Sequence, residues 1–250
     1  GDSDLIETGG GTGGSRSVTV QNTATLATVD VMTRAFAGYL ADKLDAKDVT
    51  FDDERFRVPG SNETPTMLDV AAMAREDGRD DLLNFRETIE LEARSFPNGA
   101  HIAEVEIDRD TGLVTVDRYT VTDDFGNLIN PLLAEGQVHG GVAQGVGQAL
   151  TERVVYDDEG QLLTATFMDY AMPRAADLPM IGFTTEPVPS TTNPMGMKGC
   201  GEAGTVGALA AIANAMADAF AAEGLTPPDM PYTPERVWAA LQAGRRVAAE

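Results

Sequence analysis

The longest regular pattern in the chain is helical. Between residues 18 and 44, apolar or small side chains recur every three or four positions, which predicts a long amphipathic helix. These positions are Leu26, Val29, Thr33, Phe36 and Leu40. The same spacing predicts a second long helix over residues 203–222. Its predicted buried face consists of Val206, Leu209, Ala213, Met216 and Phe220.

Strands are indicated where apolar and polar side chains alternate. Alternation over residues 88–94, 100–108 and 113–121, with a tight turn at residues 110–112, predicts an antiparallel meander. Shorter strands are predicted over residues 49–52, 55–58, 154–156, 162–167 and 180–185. Further helices are predicted over residues 65–76, 131–152 and from Pro234, with Pro65 in the favoured first helical position. Together these elements describe an α+β fold, in which mixed and antiparallel sheets pack with long helices.

The composition excludes several classes of protein. A chain of 250 residues can bury the core of one large domain or of two small lobes without disulfides. Its net charge of −22 repels phosphate backbones and anionic membranes, so we expect no nucleic acid and no membrane as partners. No apolar stretch approaches the ~18 residues of a spanning helix, and no signal-peptide pattern is seen, which indicates a cytoplasmic protein. One cysteine and two histidines are too few for a Cys/His zinc site, so we expect any metal to arrive inside a cofactor, with no protein ligands.

Glycines spaced as in dinucleotide-binding loops occur twice in the chain. The two sets are Gly9, Gly11, Gly14 and Gly199, Gly201, Gly204. A Rossmann site also needs a strand before the glycines and another strand after the helix, and neither set has both, so the spacing argues against such a site. A glycine loop at a helix N-terminus can still present backbone N–H groups to a phosphate or another anion. For the first set, a mobile glycine tail is the alternative.

Glu202 is the most informative acidic residue, because it lies where the helix over residues 203–222 begins. It can be a first-turn acid that the helix dipole stabilises. It can also be a general base beside a ligand. Gly199 and Gly201 would let the backbone approach that ligand, and Lys198 is one of only three lysines in the chain.

Two further features each allow more than one interpretation. Cys200 could act as a nucleophile with His139 as its base, or it could simply pack between its glycine neighbours. The stretch over residues 136–147 combines glycines with glutamine side chains that donate and accept hydrogen bonds, which suits a polar heterocycle. Alternatively, the same glycines could let this helix pack closely against another helix.

Three separated motifs agree with one family. They are Gly-Gly-Ser-Arg-Ser at residues 13–17, Gly-Gln-Val-His-Gly-Gly-Val-Ala-Gln-Gly-Val-Gly at residues 136–147 and Lys-Gly-Cys-Gly-Glu at residues 198–202. They resemble the C-terminal part of the molybdopterin-binding large subunit of molybdenum hydroxylases, a family that includes xanthine dehydrogenase, aldehyde oxidase and aerobic carbon monoxide dehydrogenase. The chain is most similar to the last of these, and the resemblance covers essentially its whole length.

The resemblance implies an enzyme that hydroxylates an electron-poor carbon, or oxidises a small molecule such as an aldehyde, an N-heterocycle or CO, with water as the oxygen source. Glu202 would be the catalytic residue and would take a proton from a water-derived ligand of molybdenum. The cofactor would be molybdenum-molybdopterin, in the cytosine dinucleotide form. The residues implied to bind it are Gly13, Gly14, Ser15, Arg16, Ser17, Gln137, Gln144, Gly145, Lys198, Gly199, Cys200 and Gly201.

The resemblance also implies partners that complete the enzyme. Residues 1–250 would form a C-terminal molybdopterin-binding domain, as one body or two lobes, without the upstream half of the large subunit and inactive alone. A 2Fe-2S subunit and an FAD subunit would accept the electrons. The alternative is a non-catalytic assembly or interaction module with the same fold. Without cofactor, we expect the loops at residues 9–14 and 196–201 to be mobile or displaced, although Ser15 and Glu202 must face one cleft if they share a site.

Overall fold

The computed structural model describes residues 2–5 and 10–247, with side chains up to residue 244. The chain divides into two compact units. The smaller unit consists of Ser17–Arg94 and Thr192–Met195, and the larger unit consists of Gly1–Arg16, Ser95–Thr191 and Gly196–Glu250.

The smaller unit is built around one long helix. Its elements are helix α1 (Ser17–Lys43), the antiparallel strands β1 (Thr50–Asp52) and β2 (Arg55–Arg57), helix α2 (Met67–Glu76) and a 3-10 turn at Asp80–Leu82. Its core contains Phe36, Tyr39, Leu40, Phe56, Val70, Ala74 and Leu82. Leu26 and Val29, which the sequence predicts on the buried face of α1, are instead 46% and 38% exposed. The 10 residues of α2 are too short to cover the 27 residues of α1, so this core packs against the second half of α1.

The start of α2 differs from the prediction for a simple reason. The side chain of Thr66 accepts a hydrogen bond from the Asp69 backbone N–H, and the Asp69 carboxylate accepts one from the Thr66 N–H at 2.9 Å. This reciprocal capping box makes Thr66 the N-cap, so the helix begins at Met67. Pro65 therefore precedes the cap, and its predicted place as the first helical residue is wrong.

The larger unit contains a three-stranded mixed sheet. Strands β3 (Asn98–Ile107) and β4 (Val114–Asp124) pair antiparallel, and β5 (Ile181–Thr185) adds to β4 in parallel, giving the order β3-β4-β5. The predicted strand over residues 88–94 is wrong, because this stretch alternates without any paired strand to hydrogen-bond. The predicted strands over residues 154–156 and 162–167 are reduced to one bridge between Tyr156 and Leu162.

Three helices complete this unit, namely α3 (Pro131–Leu150), α4 (Ala203–Ala221) and α5 (Pro234–Val247). Helix α4 packs against α3 and against β3. Its buried residues are Gly204, Ala208, Ala211, Ile212, Met216 and Phe220. Val206, predicted on the buried face, is 72% exposed. The prediction placed the large apolar side chains on the buried face. The close contact with α3 instead buries glycine and alanine, so the observed buried face of α4 is rotated relative to the predicted one.

Helix α4 is also the one helix among the described residues that is long and apolar enough to cross a membrane by length and composition. The sequence-based expectation that no stretch reaches this criterion is therefore wrong. Ile212, Met216 and Phe220 of this helix belong to the core of the larger unit. A core helix of a globular domain can meet the same criterion.

Candidate functional site

Two residues far apart in the sequence meet in the larger unit. The Ser15 hydroxyl donates a hydrogen bond to Oε2 of Glu202 at 3.1 Å, across 187 positions of the chain. Ser15 follows the glycine-rich segment over residues 10–14, and Glu202 is the N-cap of α4. The expected displacement of the two loops is therefore wrong at this point, because Ser15 and Glu202 already lie in contact.

Glycine is required on the loop that faces Ser15. A Cβ atom on Gly199 would overlap with the Ser15 side chain and carbonyl group. A Cβ atom on Gly201 would lie 3.4 Å from Ser15 Oγ and 3.9 Å from Gln137 Oε1. Ser15, Gln137, Gly199, Gly201 and Glu202 thus surround one small space, which we call the serine notch.

The glycine-rich segment before Ser15 is folded back on itself. The Arg16 guanidinium donates a hydrogen bond to the Gly11 carbonyl at 2.9 Å. Its glycines face open space, since an added Cβ atom would have no neighbour within 4 Å at any of Gly10, Gly11, Gly13 and Gly14. Gly9, the first glycine of the predicted loop, lies outside the described residues. Ser17 begins α1 and belongs to the smaller unit.

Helix α3 has two glycine faces with different surroundings. Gly136 and Gly140 have no neighbour within 4 Å of an added Cβ atom. Gly141 and Gly145 instead lie against α4, where an added Cβ atom would come within 2.8 Å of the Thr205 backbone N or overlap with Ala208. The interpretation as a close helix contact therefore holds for Gly141 and Gly145, while binding of a polar heterocycle stays a prediction. The position of Gly145 does not support its predicted contact with a pterin.

Gln144 is oriented by α4. The Thr205 hydroxyl lies 3.1 Å from the Gly141 carbonyl and 3.2 Å from Gln144 Oε1, and donates to both. With its oxygen directed to Thr205, Gln144 has its amide nitrogen available as a donor to a ligand.

Lys198 anchors the loop that leads to Glu202. Its ammonium group forms an ion pair with the Asp124 carboxylate, and the two side chains are only 10% and 14% exposed. The backbone N–H of Lys198 also donates to the Phe125 carbonyl at 2.8 Å. Burial alone would raise the pKa of Asp124, but hydrogen bonds from Lys198 and from two backbone N–H groups outweigh it and lower that pKa. This arrangement gives Lys198 a structural role, while its predicted contact with a cofactor stays a prediction.

Comparison with known proteins identifies the family. Residues 1–179 match the family model described as the molybdopterin cofactor-binding domain. The chain belongs to this family. It is 34% identical, over 96% of its length, to the 6-hydroxypseudooxynicotine dehydrogenase complex subunit gamma of Paenarthrobacter nicotinovorans, and 34% identical, over 97%, to the carbon monoxide dehydrogenase large chain of Hydrogenophaga pseudoflava.

The fold agrees with this assignment. A crystal structure of the Cu,Mo-CO dehydrogenase in its carbon monoxide reduced state superposes with a TM-score of 0.82 at 31% identity, covering 98% of this chain and 32% of that one. The chain spans 31% of the length of each of the two curated relatives. The predicted molybdenum hydroxylase family and the predicted α+β fold class are confirmed.

Cys200 does not fit a role as nucleophile in this molybdopterin-binding domain. Its side chain packs against the core of the larger unit, and burial, together with the negative charge of Asp123, raises the pKa of its thiol. A raised pKa keeps the thiol protonated and unreactive at neutral pH. His139, the suggested base, has a buried Nε2 atom without a hydrogen-bond partner. The interpretation of Cys200 as a packing residue is therefore the better one.

Sequence reasoning missed a buried polar cluster beneath α4. His101 Nδ1 lies 2.9 Å from the Tyr119 hydroxyl, and His101 Nε2 lies 3.5 Å from Asp123 Oδ1. The other oxygen of Asp123 is buried without a hydrogen-bond partner, and the imidazole fits beneath α4 only because residue 207 is a glycine. His101 lies in a predicted strand and Asp123 lies two residues beyond the end of another, but no local pattern shows that the observed strands β3 and β4 bring them together.

Proposed function

We propose that this chain binds the molybdopterin cofactor in a molybdenum hydroxylase and supplies the catalytic base, Glu202. The observation that carries this proposal is the serine notch. There a carboxylate at the start of a helix lies near a hydroxyl group, a glutamine amide, the exposed Gly201 and the buried Gly199, which is covered by Ser15. A glutamate whose only role is to stabilise the start of a helix does not require such neighbours.

The residues present fit a molybdopterin nucleotide. Phosphate groups suit a segment whose glycines all face open space and which ends at a serine, an arginine and the first turn of α1. The segment Gly13, Gly14, Ser15, Arg16 and Ser17 would hold the phosphates. Gln137 and Gln144, whose amides both donate and accept, would hold the pterin beside the open glycine face of α3. We propose the cytosine dinucleotide form of the cofactor.

We propose that molybdenum is held by the cofactor and takes no ligand from the side chains of this chain. When bound, the cofactor supplies the two-electron oxidation and activates water as the oxygen source. The chain positions the cofactor through its glycine-rich segments, and Lys198 holds Gly199 and Gly201 in place through its ion pair with Asp124.

Glu202 is suited to accept the proton released in the reaction. Its carboxylate is solvent-exposed, so the proton can pass on to water. It lies at the N-terminus of α4, and the Ser15 hydroxyl fixes one of its oxygens.

The remaining parts of the enzyme would come from outside this chain. Because the chain spans about a third of its relatives' length, we propose that upstream sequence of the large subunit supplies the substrate pocket. An iron-sulfur subunit with 2Fe-2S clusters and a flavin subunit with FAD would receive the electrons. The substrate would be an aldehyde, an N-heterocycle or CO, the enzyme would be cytoplasmic, and this chain alone would be inactive.

The test is the complete complex with Glu202→Gln, which keeps size and hydrogen bonding but removes the base. We expect the rate of cofactor reduction by substrate to fall roughly 10²- to 10⁴-fold with unchanged molybdenum content. Glu159→Gln, an exposed glutamate in a turn of the same unit, is the matched control and should keep the wild-type rate. Near-normal reduction by Glu202→Gln would contradict the base assignment. A stable complex that contains no molybdenum would instead indicate the non-catalytic module.

A further inference from the structure

Ser15 adopts a backbone conformation that does not favour serine. Its φ angle is +52°, in the left-handed region, where a Cβ atom approaches the following carbonyl oxygen. Glycine avoids this penalty, and Gly14 immediately before it has a φ of +62°. Within the described part of the chain, four other non-glycine residues have positive φ, and three of them are aspartates, which tolerate the region better than most residues. The backbone alone would therefore select glycine at position 15, so the serine side chain needs a separate reason.

That reason lies on the opposite loop. Ser15 Oγ donates to Glu202 Oε2, and a carboxylate can only accept here. The loop is shaped around this side chain, since any residue larger than glycine at position 199 would displace Ser15. Thus a strained residue, a glycine that makes room for it and an acidic side chain all converge on one hydrogen bond.

We propose that Ser15 is the positioning residue of Glu202, holding its carboxylate in the reactive orientation. This inference rests on the proposed function of Glu202 as the base. Without the hydroxyl, an exposed glutamate with three rotatable side-chain bonds would sample many rotamers, and few of them would place the carboxylate correctly. The backbone strain at Ser15 is retained because the hydroxyl must reach Glu202 from that conformation.

The first test uses Ser15→Gly in the complete complex, because this change removes the hydroxyl and relieves the strain together. We expect kcat per bound molybdenum to fall about 10- to 100-fold and the KM to stay within about twofold, with the molybdenum content measured alongside because Ser15 also lies in the segment proposed to hold the phosphates. The melting temperature should stay the same or rise. The matched control is Glu54→Gly, because Glu54 has a φ of +59° in an exposed turn and should gain stability without any change in kcat.

A second measurement does not depend on activity. In the 250-residue chain with ¹³C-labelled glutamate, the Glu202 carboxyl signal is assigned by its loss in Glu202→Gln. We expect this signal to move in both Ser15→Gly and Ser15→Ala, and to stay in place in Glu54→Gly. Ser15→Ala keeps the Cβ atom, so a shift common to both variants reports the hydroxyl rather than the strain.

The outcomes separate this proposal from the one on which it rests. If Glu202→Gln is inactive while Ser15→Gly keeps its kcat and the carboxyl signal does not move, the positioning role is overturned and the base assignment stands. If kcat and molybdenum content fall in parallel in Ser15→Gly, Ser15 is a cofactor contact only. That result would also overturn the positioning role. If Glu202→Gln keeps a near-normal rate, the proposed function itself fails.

Discussion

The glycines of residues 10–14 and the glycines between α3 and α4 have opposite surroundings. In the first set, an added Cβ atom would meet nothing within 4 Å. In the second set, Gly141 and Gly204 bring two helix backbones together, and an added Cβ atom on Gly204 would lie 2.9 Å from Gly141 Cα. Both sets read alike in the sequence, as glycines within motifs of a cofactor-binding family. The comparison shows that one set of glycines faces open space, whereas the other set allows two helices to pack closely.

The largest expected effect is a loss of stability, and it concerns the glycines packed between α3 and α4. Gly204→Ala inserts a methyl group against the Val138 carbonyl and the Gly141 backbone, so α3 and α4 must separate. We expect a loss of about 2–3 kcal/mol in the free energy of unfolding, measured by urea denaturation of the chain. Gly140→Ala is the matched control, since Gly140 is also a helical glycine but faces open space. That variant should gain about 0.5–1 kcal/mol, and a loss in both variants would refute the distinction.

The next effect concerns the ion pair that holds the loop before Glu202. Lys198→Met keeps most of the side-chain volume but leaves the Asp124 carboxylate without its partner at a site that is largely buried. We expect a loss of about 2 kcal/mol at neutral pH, measured in the same denaturation experiment. Arg34→Ala, which removes an exposed ion pair with Asp30, should cost less than about 0.5 kcal/mol. Equal losses in the two variants would show that burial of the Lys198 pair has no consequence.

The same ion pair predicts a dependence on pH. Because the folded state lowers the pKa of Asp124, its contribution is present above the unfolded pKa of about 3.9 and is lost as the pH falls through the folded value. The difference in unfolding free energy between wild type and Lys198→Met should therefore shrink below about pH 4. A difference that stays constant down to pH 2 would indicate that Asp124 is not the group involved.

The smallest effect on stability is expected at the glycines of residues 10–14, which face open space. Gly13→Ala meets no neighbour and should change the unfolding free energy by less than about 0.5 kcal/mol. In the complete complex, the added methyl group would occupy the space proposed for the cofactor. We expect molybdenum content, measured by mass spectrometry, to fall about tenfold, as for a loss of about 1.4 kcal/mol in affinity. Gly38→Ala, at an open position in α1, should leave that content at the wild-type level.

The sequence predicts most elements because their signals are local. The helices α1, α3, α4 and α5 and the pair β3-β4 follow from side-chain spacing alone, and the structure places them within a few residues of the predicted bounds. The errors arise where contacts with a distant part of the chain determine whether a strand forms or which face of a helix is buried. Residues 88–94 alternate as a strand does but have no strand to pair with, and the buried face of α4 is set by its close contact with α3.

The candidate site shows the same division. The motifs pointed to Ser15, Gln137, Gly199, Gly201 and Glu202, and the structure brings these residues together in the serine notch. The partner of Lys198 could not be predicted, because Asp124 lies 74 positions earlier in the chain and depends on the end of β4 for its place. Because glycine has no side chain, its position in the sequence does not show whether it faces open space or packs against another helix.

The 187 positions between Ser15 and Glu202 also impose an order in time. During synthesis at about 5–20 residues per second, Ser15 is added to the chain roughly 10–40 s before Glu202. Throughout that interval the glycine-rich segment has neither the hydrogen bond to Glu202 nor the glycine loop that encloses Ser15. A ligand can therefore contact both sides of the serine notch only after Glu202 has been added to the chain.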